Sequence, residues 1–190
     1  MKGAMSSTSI ILIVVFLIVV CIPIGIYNGL ISRRNAVDNS FASLDANLQK
    51  RFDLVPNLVA TVKGYASHET QLFEEVTRLR GQVQSAATPG ERLEADAQMA
   101  PLLGHIMMVA EGYPQLKASD NFLQLQRTLT ELEEQISASR RAFNAAITDY
   151  NTAVQSFPAS ILANSFGFTK RNFFTAEPDA RKPVNLTGQF

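Results

Sequence analysis

Residues Ile10 to Ile26 read IILIVVFLIVVCIPIGI, a run of seventeen residues without a charged or amide side chain. At a rise of about 1.5 Å per residue, this apolar run is about 25 Å long as a helix, and flanking turns extend it to the ~30 Å hydrocarbon core of a bilayer. The sequence therefore predicts a transmembrane helix over residues 10–27, preceded by a short polar tail over residues 1–9.

Three other interpretations fit the apolar run less well. A cleaved signal peptide needs small residues one and three positions before the cut, and a pair such as Pro23 and Gly25 is a poor match. A lipoprotein signal needs a small residue before its cysteine, but Val20 precedes Cys21. A core helix of a small bundle would have a polar face, which this run lacks. We therefore expect an uncleaved anchor.

The cations near the apolar run give a weak signal for orientation. Arg33 and Arg34 follow the run, whereas only Lys2 and the α-amino group precede it. Lys50 and Arg51 tilt the balance toward a cytoplasmic C-terminal domain. Over the whole chain, 17 basic residues balance 17 acidic ones. The sequence contains no block of basic residues of the kind that would indicate a nucleic-acid partner.

Amphipathic patterns after the apolar run predict four helices over residues 28–157. We expect the first to end near Val55, because Pro56 disfavours helical geometry at the preceding residue, and Asp53 is placed to cap the second. The apolar positions of these two helices recur at spacings of three, four and seven: Val37, Phe41, Leu44, Leu48 and Val55, then Leu58, Val62, Tyr65, Leu72, Val76, Leu79 and Val83.

Two clusters of helix-breaking residues separate the remaining helices. Thr88-Pro89-Gly90 ends the second helix and Gly112-Tyr113-Pro114 ends the third, inside which Pro101 predicts a kink or break. The fourth helix has heptad-like spacing, with Asp120 as its cap and Pro158 as its stop. Four amphipathic helices with short connections predict an all-α protein, in which the transmembrane helix precedes an antiparallel up-down four-helix bundle.

At this point the motifs resemble those of the LemA family. The longest is the run Arg51 to Tyr65, RFDLVPNLVATVKGY. Further similar positions are Tyr27-Asn28, Arg34-Asn35-x-Val37, His68-Glu69, Tyr113 to Lys117, Phe122, Tyr150-Asn151, Phe157-Pro158 and Phe166-Gly-Phe168. The resemblance implies a bacterial, membrane-anchored helical domain in the cytoplasm with its short N-terminal tail outside, and no established enzymatic activity. A magnetosome-associated relative suggests membrane organisation by analogy.

Residue types that carry catalysis or bind metals form no convincing constellation in the sequence. His68-Glu69 opens like a zinc-protease helix, but Leu72 stands where that motif needs histidine. His105 lies in a Met-rich stretch that is more typical of a core. We therefore expect no catalytic, cofactor or metal site, and we interpret the chain as a scaffold or adaptor that binds protein partners or itself. The alternative is an accessory subunit or regulator of a membrane enzyme such as a protease.

Two polar pairs are open to more than one interpretation. Arg51 and Asp53 could form a functional ion pair, or they could be a capping residue beside a solvated charge. Asn35 and Asn151 each belong to a pair of asparagines seven residues apart, which keeps both members on one helix face. They could meet at the seam of the first and fourth helices, where a hydrogen bond contributes about 1 kcal/mol, or lie on solvated flanks.

We expect the C-terminal segment, residues 158–190, to begin near the bilayer, because an even number of helices in an up-down bundle returns the chain to the membrane. Aromatic and aliphatic residues beside two cations are typical of an interfacial segment. The same side chains could instead cap the open end of the bundle or dock neighbouring copies. The candidate interaction residues are Arg33, Arg34, Asn35, Asn151, Phe166, Phe168, Lys170 and Arg171.

Overall fold

A computed structural model describes residues 7–66, 68–86 and 88–173, which contain α-helices and no β-strand within those ranges. The helices are α1 (Ser7–Lys63), α2 (Thr70–Ser85), α3 (Pro89–Glu111), α4 (Pro114–Lys117), α5 (Asp120–Gln155) and α6 (Ala159–Ser165). The predicted all-α class is confirmed. Most of the predicted N-terminal tail, and residues 174–190 of the predicted C-terminal segment, lie outside the described residues.

Helix α1 carries the apolar run and is, within the described ranges, the one helix long and apolar enough to cross a membrane. The large side chains from Ile10 to Val20 are 39–66% exposed. A core helix would have these side chains covered by the rest of the protein, so that interpretation of the apolar run is wrong. The exposed run keeps the length and composition of a membrane span.

Helix α1 continues through Pro56, where the sequence predicted a boundary, and ends at Lys63. A proline inside a helix removes one backbone hydrogen bond and costs about 3 kcal/mol. Val55 and Leu58 on either side of it are buried, and each contributes about 1.5–3 kcal/mol on burial. Packing therefore offsets the cost of the proline, and the predicted end of the first amphipathic helix near Val55 is wrong.

The caps of two helices also differ from the prediction. Asp53 lies inside α1, where its carboxylate accepts a hydrogen bond from Gln49 Nε2 at 2.8 Å, so it caps no helix. At the start of α5, the hydroxyl of Ser119 accepts from the backbone N–H of Phe122 at 3.3 Å. Ser119 thus has the capping role predicted for Asp120, which is the first residue of the helix.

The predicted break at Thr88 is confirmed, and it is built as a capping box. Thr88 Oγ1 accepts from the backbone N–H of Glu91 at 3.3 Å, and the Glu91 carboxylate accepts from the backbone N–H of Thr88 at 3.1 Å. Pro89 occupies the first turn, where its missing N–H costs nothing. Helix α3 then runs unbroken through Pro101 to Glu111.

The described residues pack as two compact units. One comprises the chain up to Ser40 together with Phe143–Phe173, and the other comprises Phe41–Ala142. The first is built around Leu30, Val37, Ile147, Tyr150 and Ala163. In the second, α2 packs against α3. The core of the second unit includes Leu44, Leu48, Phe52, Leu58, Leu79, Met99, Ile106 and Ile136.

Candidate functional site

An aromatic cluster in the first unit joins α1 to the end of α6. The Tyr27 ring packs edge-on against Phe166, with centroids 5.0 Å apart, and against Phe168, at 5.7 Å. The guanidinium carbon of Arg34 lies 5.6 Å from the centroid of the Phe168 ring, a cation–π distance. Phe168 is buried, whereas Phe166 is 60% exposed. These two predicted site residues therefore differ: Phe168 covers the core, and Phe166 presents most of its ring to the surroundings.

The turn that brings Phe168 into this cluster depends on Gly167. Gly167 has φ +73°, a left-handed conformation in which a side chain costs roughly 1–2 kcal/mol. The turn is closed by a hydrogen bond of 2.9 Å from the backbone N–H of Phe168 to the carbonyl of Ala163. Glycine here therefore ends α6 and reverses the chain so that Phe168 returns onto α1.

Beyond this turn, Asn151 of α5 fixes the chain at Arg171. The Asn151 side chain donates to the Arg171 carbonyl at 2.8 Å and accepts from the Arg171 backbone N–H at 2.9 Å. The Arg171 guanidinium lies 3.3 Å from the Asp38 carboxylate on α1. One amide thus satisfies both backbone groups of a residue outside any helix, and it ties residues 168–173 to α5 within the first unit.

The structure does not bring the other predicted site residues into this arrangement. Asn35 is exposed on α1, and the Asn151 side chain is engaged with Arg171, so the predicted Asn35–Asn151 hydrogen bond is wrong. Arg33 is exposed and donates to the Gly29 carbonyl one turn earlier, at 3.3 Å. Lys170 is exposed.

Replacing Asn151 with alanine is expected to loosen residues 168–173. The two lost hydrogen bonds contribute about 0.5–1.5 kcal/mol each, so amide hydrogen exchange at Arg171 should accelerate about tenfold or more. Asn35→Ala is the matched control and should leave this exchange unchanged. In the double variant the two effects on stability should add, because the side chains share no contact. Equal exchange at Arg171 in the Asn151→Ala variant and the wild type would contradict the assigned role.

A second polar feature, the buried ion cluster, lies inside the other unit and comprises Arg51, Asp96, Glu133 and Arg140. The Asp96 carboxylate of α3 pairs with Arg51 of α1 and with Arg140 of α5. Arg51 also donates to Glu133 Oε1 at 2.6 Å. The side chains of Arg51 and Asp96 are fully buried, and Glu133 is about half exposed. Two cations and two anions from three helices thus neutralise one another.

The electrostatics of the cluster are dominated by burial. Removal from water lowers the pKa of Arg51, although the Glu133 carboxylate acts in the opposite direction. Burial also lowers the pKa of Arg140, again opposed by Glu133. The folded state therefore binds these protons less tightly than the unfolded chain does. At neutral pH both charges cost stability, and this cost is relieved only as the pH rises through the lowered values toward the ordinary arginine range.

A third polar contact is made by Arg92 near the start of α3. Its Nε lies 2.8 Å from the Asp45 carboxylate, and its Nη2 donates to Gln49 Oε1 at 3.1 Å, both on α1. Its Nη1 donates to the carbonyl of Val83 at 3.0 Å, in the last turn of α2. One planar guanidinium therefore ties three helices of the second unit together, and it adds a second donor to a carbonyl that also accepts from the backbone N–H of Ala86 at 3.3 Å.

Neither interpretation of Arg51 and Asp53 matches the structure. Arg51 is buried in the ion cluster instead of lying beside a solvated cap, and its partners are Asp96 and Glu133. Asp96, Arg140 and Arg92 were not predicted from the sequence. Among the described residues, no group of three or more His, Cys, Asp and Glu side chains could hold a metal ion.

The fold and these sites define an all-helical protein with an N-terminal helix of membrane-spanning length and an internally neutralised polar core. This class of protein can be compared with known families. The chain matches the LemA family over residues 40–187, which is most of its length, and it belongs to that family.

The individual relatives have low sequence identity to this chain. The chain is 23% identical over 184 residues to the magnetosome protein MamQ of Magnetospirillum gryphiswaldense, a match that covers 83% of this chain and 68% of MamQ. It is also 23% identical over 165 residues to protein LemA of Metamycoplasma hominis, covering 86% of this chain and 75% of that protein. Both relatives are bacterial proteins.

Proposed function

We propose that this protein is a membrane-anchored scaffold or adaptor that binds protein partners or further copies of itself. The observation that carries the proposal is the continuity of α1. The large side chains from Ile10 to Val20 are exposed, and Leu30, four residues beyond the end of the run at Ile26, is fully buried. One helix therefore serves as both span and core element, which supports a folded part that begins at the membrane surface.

The buried ion cluster supports a structural rather than a catalytic role. The most buried charged side chains, Arg51 and Asp96, are enclosed and paired with each other. A group that acts on a substrate must reach it within hydrogen-bond distance, and full burial prevents this. The charges of this cluster instead connect α1, α3 and α5 within the second unit.

For the architecture we propose the antiparallel up-down four-helix bundle, made from the part of α1 beyond the apolar run together with α2, α3 and α5. The ion pairs from Asp96 to Arg51 and Arg140 support α1, α3 and α5 as neighbours in this bundle, and the packing of α2 on α3 supports α2 as the fourth helix.

We propose that the protein lies in the bacterial inner membrane with its domain in the cytoplasm, on the balance of flanking cations. The name of the MamQ relatives, magnetosome proteins, supports membrane organisation by analogy.

The experiment is purification of the full chain from its own membranes in mild detergent, with light scattering for its mass and affinity capture for its partners. We expect a stable homo-oligomer or one stoichiometric protein partner. In a matched control, the apolar run is replaced by an unrelated single-span helix. Assembly that persists in this variant is a property of the folded part, as the proposal requires.

Other results would change the assignment. A chain that is monomeric in the membrane and captures no stoichiometric protein would contradict the scaffold role. Capture of a single membrane protease, together with loss of that protease's activity on removal of the chain, would instead favour the role of accessory subunit.

A further inference from the structure

Helix α6 lies alongside the end of the apolar run. A groove of about 630 Å³ is lined by Gly25, Ile26 and Gly29 of α1, by residues of α5, by Ser156 between α5 and α6, and by Ala159 at the start of α6. The ring contact between Tyr27 and Phe166, described above, joins the same two regions at the other end of α6. The last turn of the apolar run and the first turn of α6 are therefore neighbours in the first unit.

Three large apolar side chains in α6 or beside its two ends do not pack on the core. Phe157 is 81% exposed, Ile161 59% and Phe166 60%, whereas Ala163 and Phe168 are buried. Large exposed hydrophobic side chains grouped along one short helix mark a contact surface. Because it adjoins the last turn of the apolar run, any membrane that surrounds the run reaches this surface as well.

The charges around this surface match a bilayer with anionic headgroups. Arg33 and Arg34 are exposed and lie seven and eight residues beyond Ile26, or roughly 10–12 Å along α1. Arginine side chains at that distance reach the headgroup region, where each cation contributes about 1 kcal/mol. Exposed apolar side chains with cations on the side away from the hydrocarbon are the composition of an interfacial segment.

We propose that α6 is a second membrane contact, which inserts Phe157, Ile161 and Phe166 into the boundary between headgroups and acyl chains of an anionic bilayer. The proposal rests on the membrane anchor proposed above. It also separates two roles: Phe157, Ile161 and Phe166 contact lipid, and Phe168 closes the core.

The chain contains no tryptophan, so a single introduced tryptophan reports on its own surroundings. The full chain is reconstituted into vesicles of brominated phosphatidylcholine and phosphatidylglycerol, in which bromine quenches the fluorescence of tryptophans that contact acyl chains. Phe157→Trp is the test variant, and Ile161→Trp is a second reporter in case the first variant folds poorly by circular dichroism. Phe16→Trp marks the apolar run. Tyr65→Trp, at an exposed aromatic residue just beyond the end of α1, is the matched control.

We expect Phe157→Trp to lose most of its fluorescence and to emit at shorter wavelength, as Phe16→Trp does, while Tyr65→Trp keeps its fluorescence. If Phe16→Trp is quenched and both α6 reporters behave like Tyr65→Trp, the α6 contact is refuted and the anchor stands. If Phe16→Trp is not quenched either, the proposed anchor itself fails. Unquenched α6 reporters whose emission shifts to shorter wavelength as protein density rises would assign this surface to a second copy, which also overturns the proposal.

Discussion

Replacing Asp96 with alanine is expected to lower the free energy of unfolding by about 3–5 kcal/mol, the cost of breaking a buried ion pair by removing one partner. Asp96 is the carboxylate that both Arg51 and Arg140 contact. Without it, Arg51 remains fully buried and keeps Glu133, which is about half exposed and so a weaker partner. The loss arises mainly from the uncompensated charge rather than from a missing contact.

The same reasoning predicts a rescue. Burial lowers the pKa of Arg51, so its charge already costs stability in the folded state. The double variant Arg51→Met with Asp96→Leu removes one buried cation and one buried anion, and it leaves Arg140 with Glu133. Replacing a buried pair with apolar side chains of similar volume is often neutral or stabilising. We therefore expect the double variant to recover most of the stability that Asp96→Ala loses.

Urea unfolding of the full chain in detergent, followed by circular dichroism, measures both effects. Asp53→Ala is the control, because Asp53 is an exposed acid on α1 whose loss should change stability by no more than about 0.5 kcal/mol. A loss below about 1 kcal/mol in Asp96→Ala would show that the cluster is solvated and weak. A double variant as unstable as Asp96→Ala would show that the charges themselves are required.

Much of the helical pattern could be predicted from local sequence. The apolar run, the capping sequence from Thr88 to Glu91 and the breaker at Gly112 each act within a few residues, where propensity and capping decide the outcome. The helix boundary predicted at Pro56 is wrong because the local cost of a proline inside a helix is opposed by packing. That packing depends on side chains far away in the sequence. The family resemblance, by contrast, was confirmed by the match over residues 40–187.

The misplaced boundary at Pro56 also concealed Arg51. With α1 continuous, Leu44, Arg51 and Leu58 are seven residues apart and lie on one face of the helix. An arginine at a position flanked by buried leucines on the same face predicts a buried charge with an acidic partner. The signal was present in the sequence, but it becomes visible only when the heptad is followed through the proline.

The partners of Arg51 could not be predicted in the same way. Asp96 lies 45 residues away on α3, and Glu133 lies 82 residues away on α5. Helix periodicity states which face a residue occupies, but not which residue of another helix stands opposite it. The bond between Asn151 and Arg171 is similar, because it depends on the chain reversal at Gly167.

Replacing Arg92 with alanine is expected to cost about 2 kcal/mol. Arg92 is mostly buried, and the change removes its ion pair with Asp45 and its hydrogen bonds to Gln49 and to the Val83 carbonyl. Hydrogen bonds to charged groups contribute about 1.5–3 kcal/mol, and partial exposure of Asp45 reduces the total. Arg92→Lys should recover only part of the loss, because an ammonium group cannot reproduce the fork of donors that reaches three partners.

The contact with Val83 allows the role of Arg92 to be tested locally as well as globally. Amide exchange in the last turn of α2 should accelerate in Arg92→Ala, because the Val83 carbonyl then keeps only the backbone N–H of Ala86, at 3.3 Å, and the end of α2 is no longer tied to α1 and α3. Arg78→Ala is the matched control: its guanidinium is about half exposed and lies 3.7 Å from Glu75, so it should change stability by no more than about 0.5 kcal/mol. A global loss without faster exchange near Val83 would assign the stabilisation to Asp45 and Gln49 alone. Equal stability of Arg92→Ala and Arg78→Ala would contradict the role of Arg92 in joining the three helices.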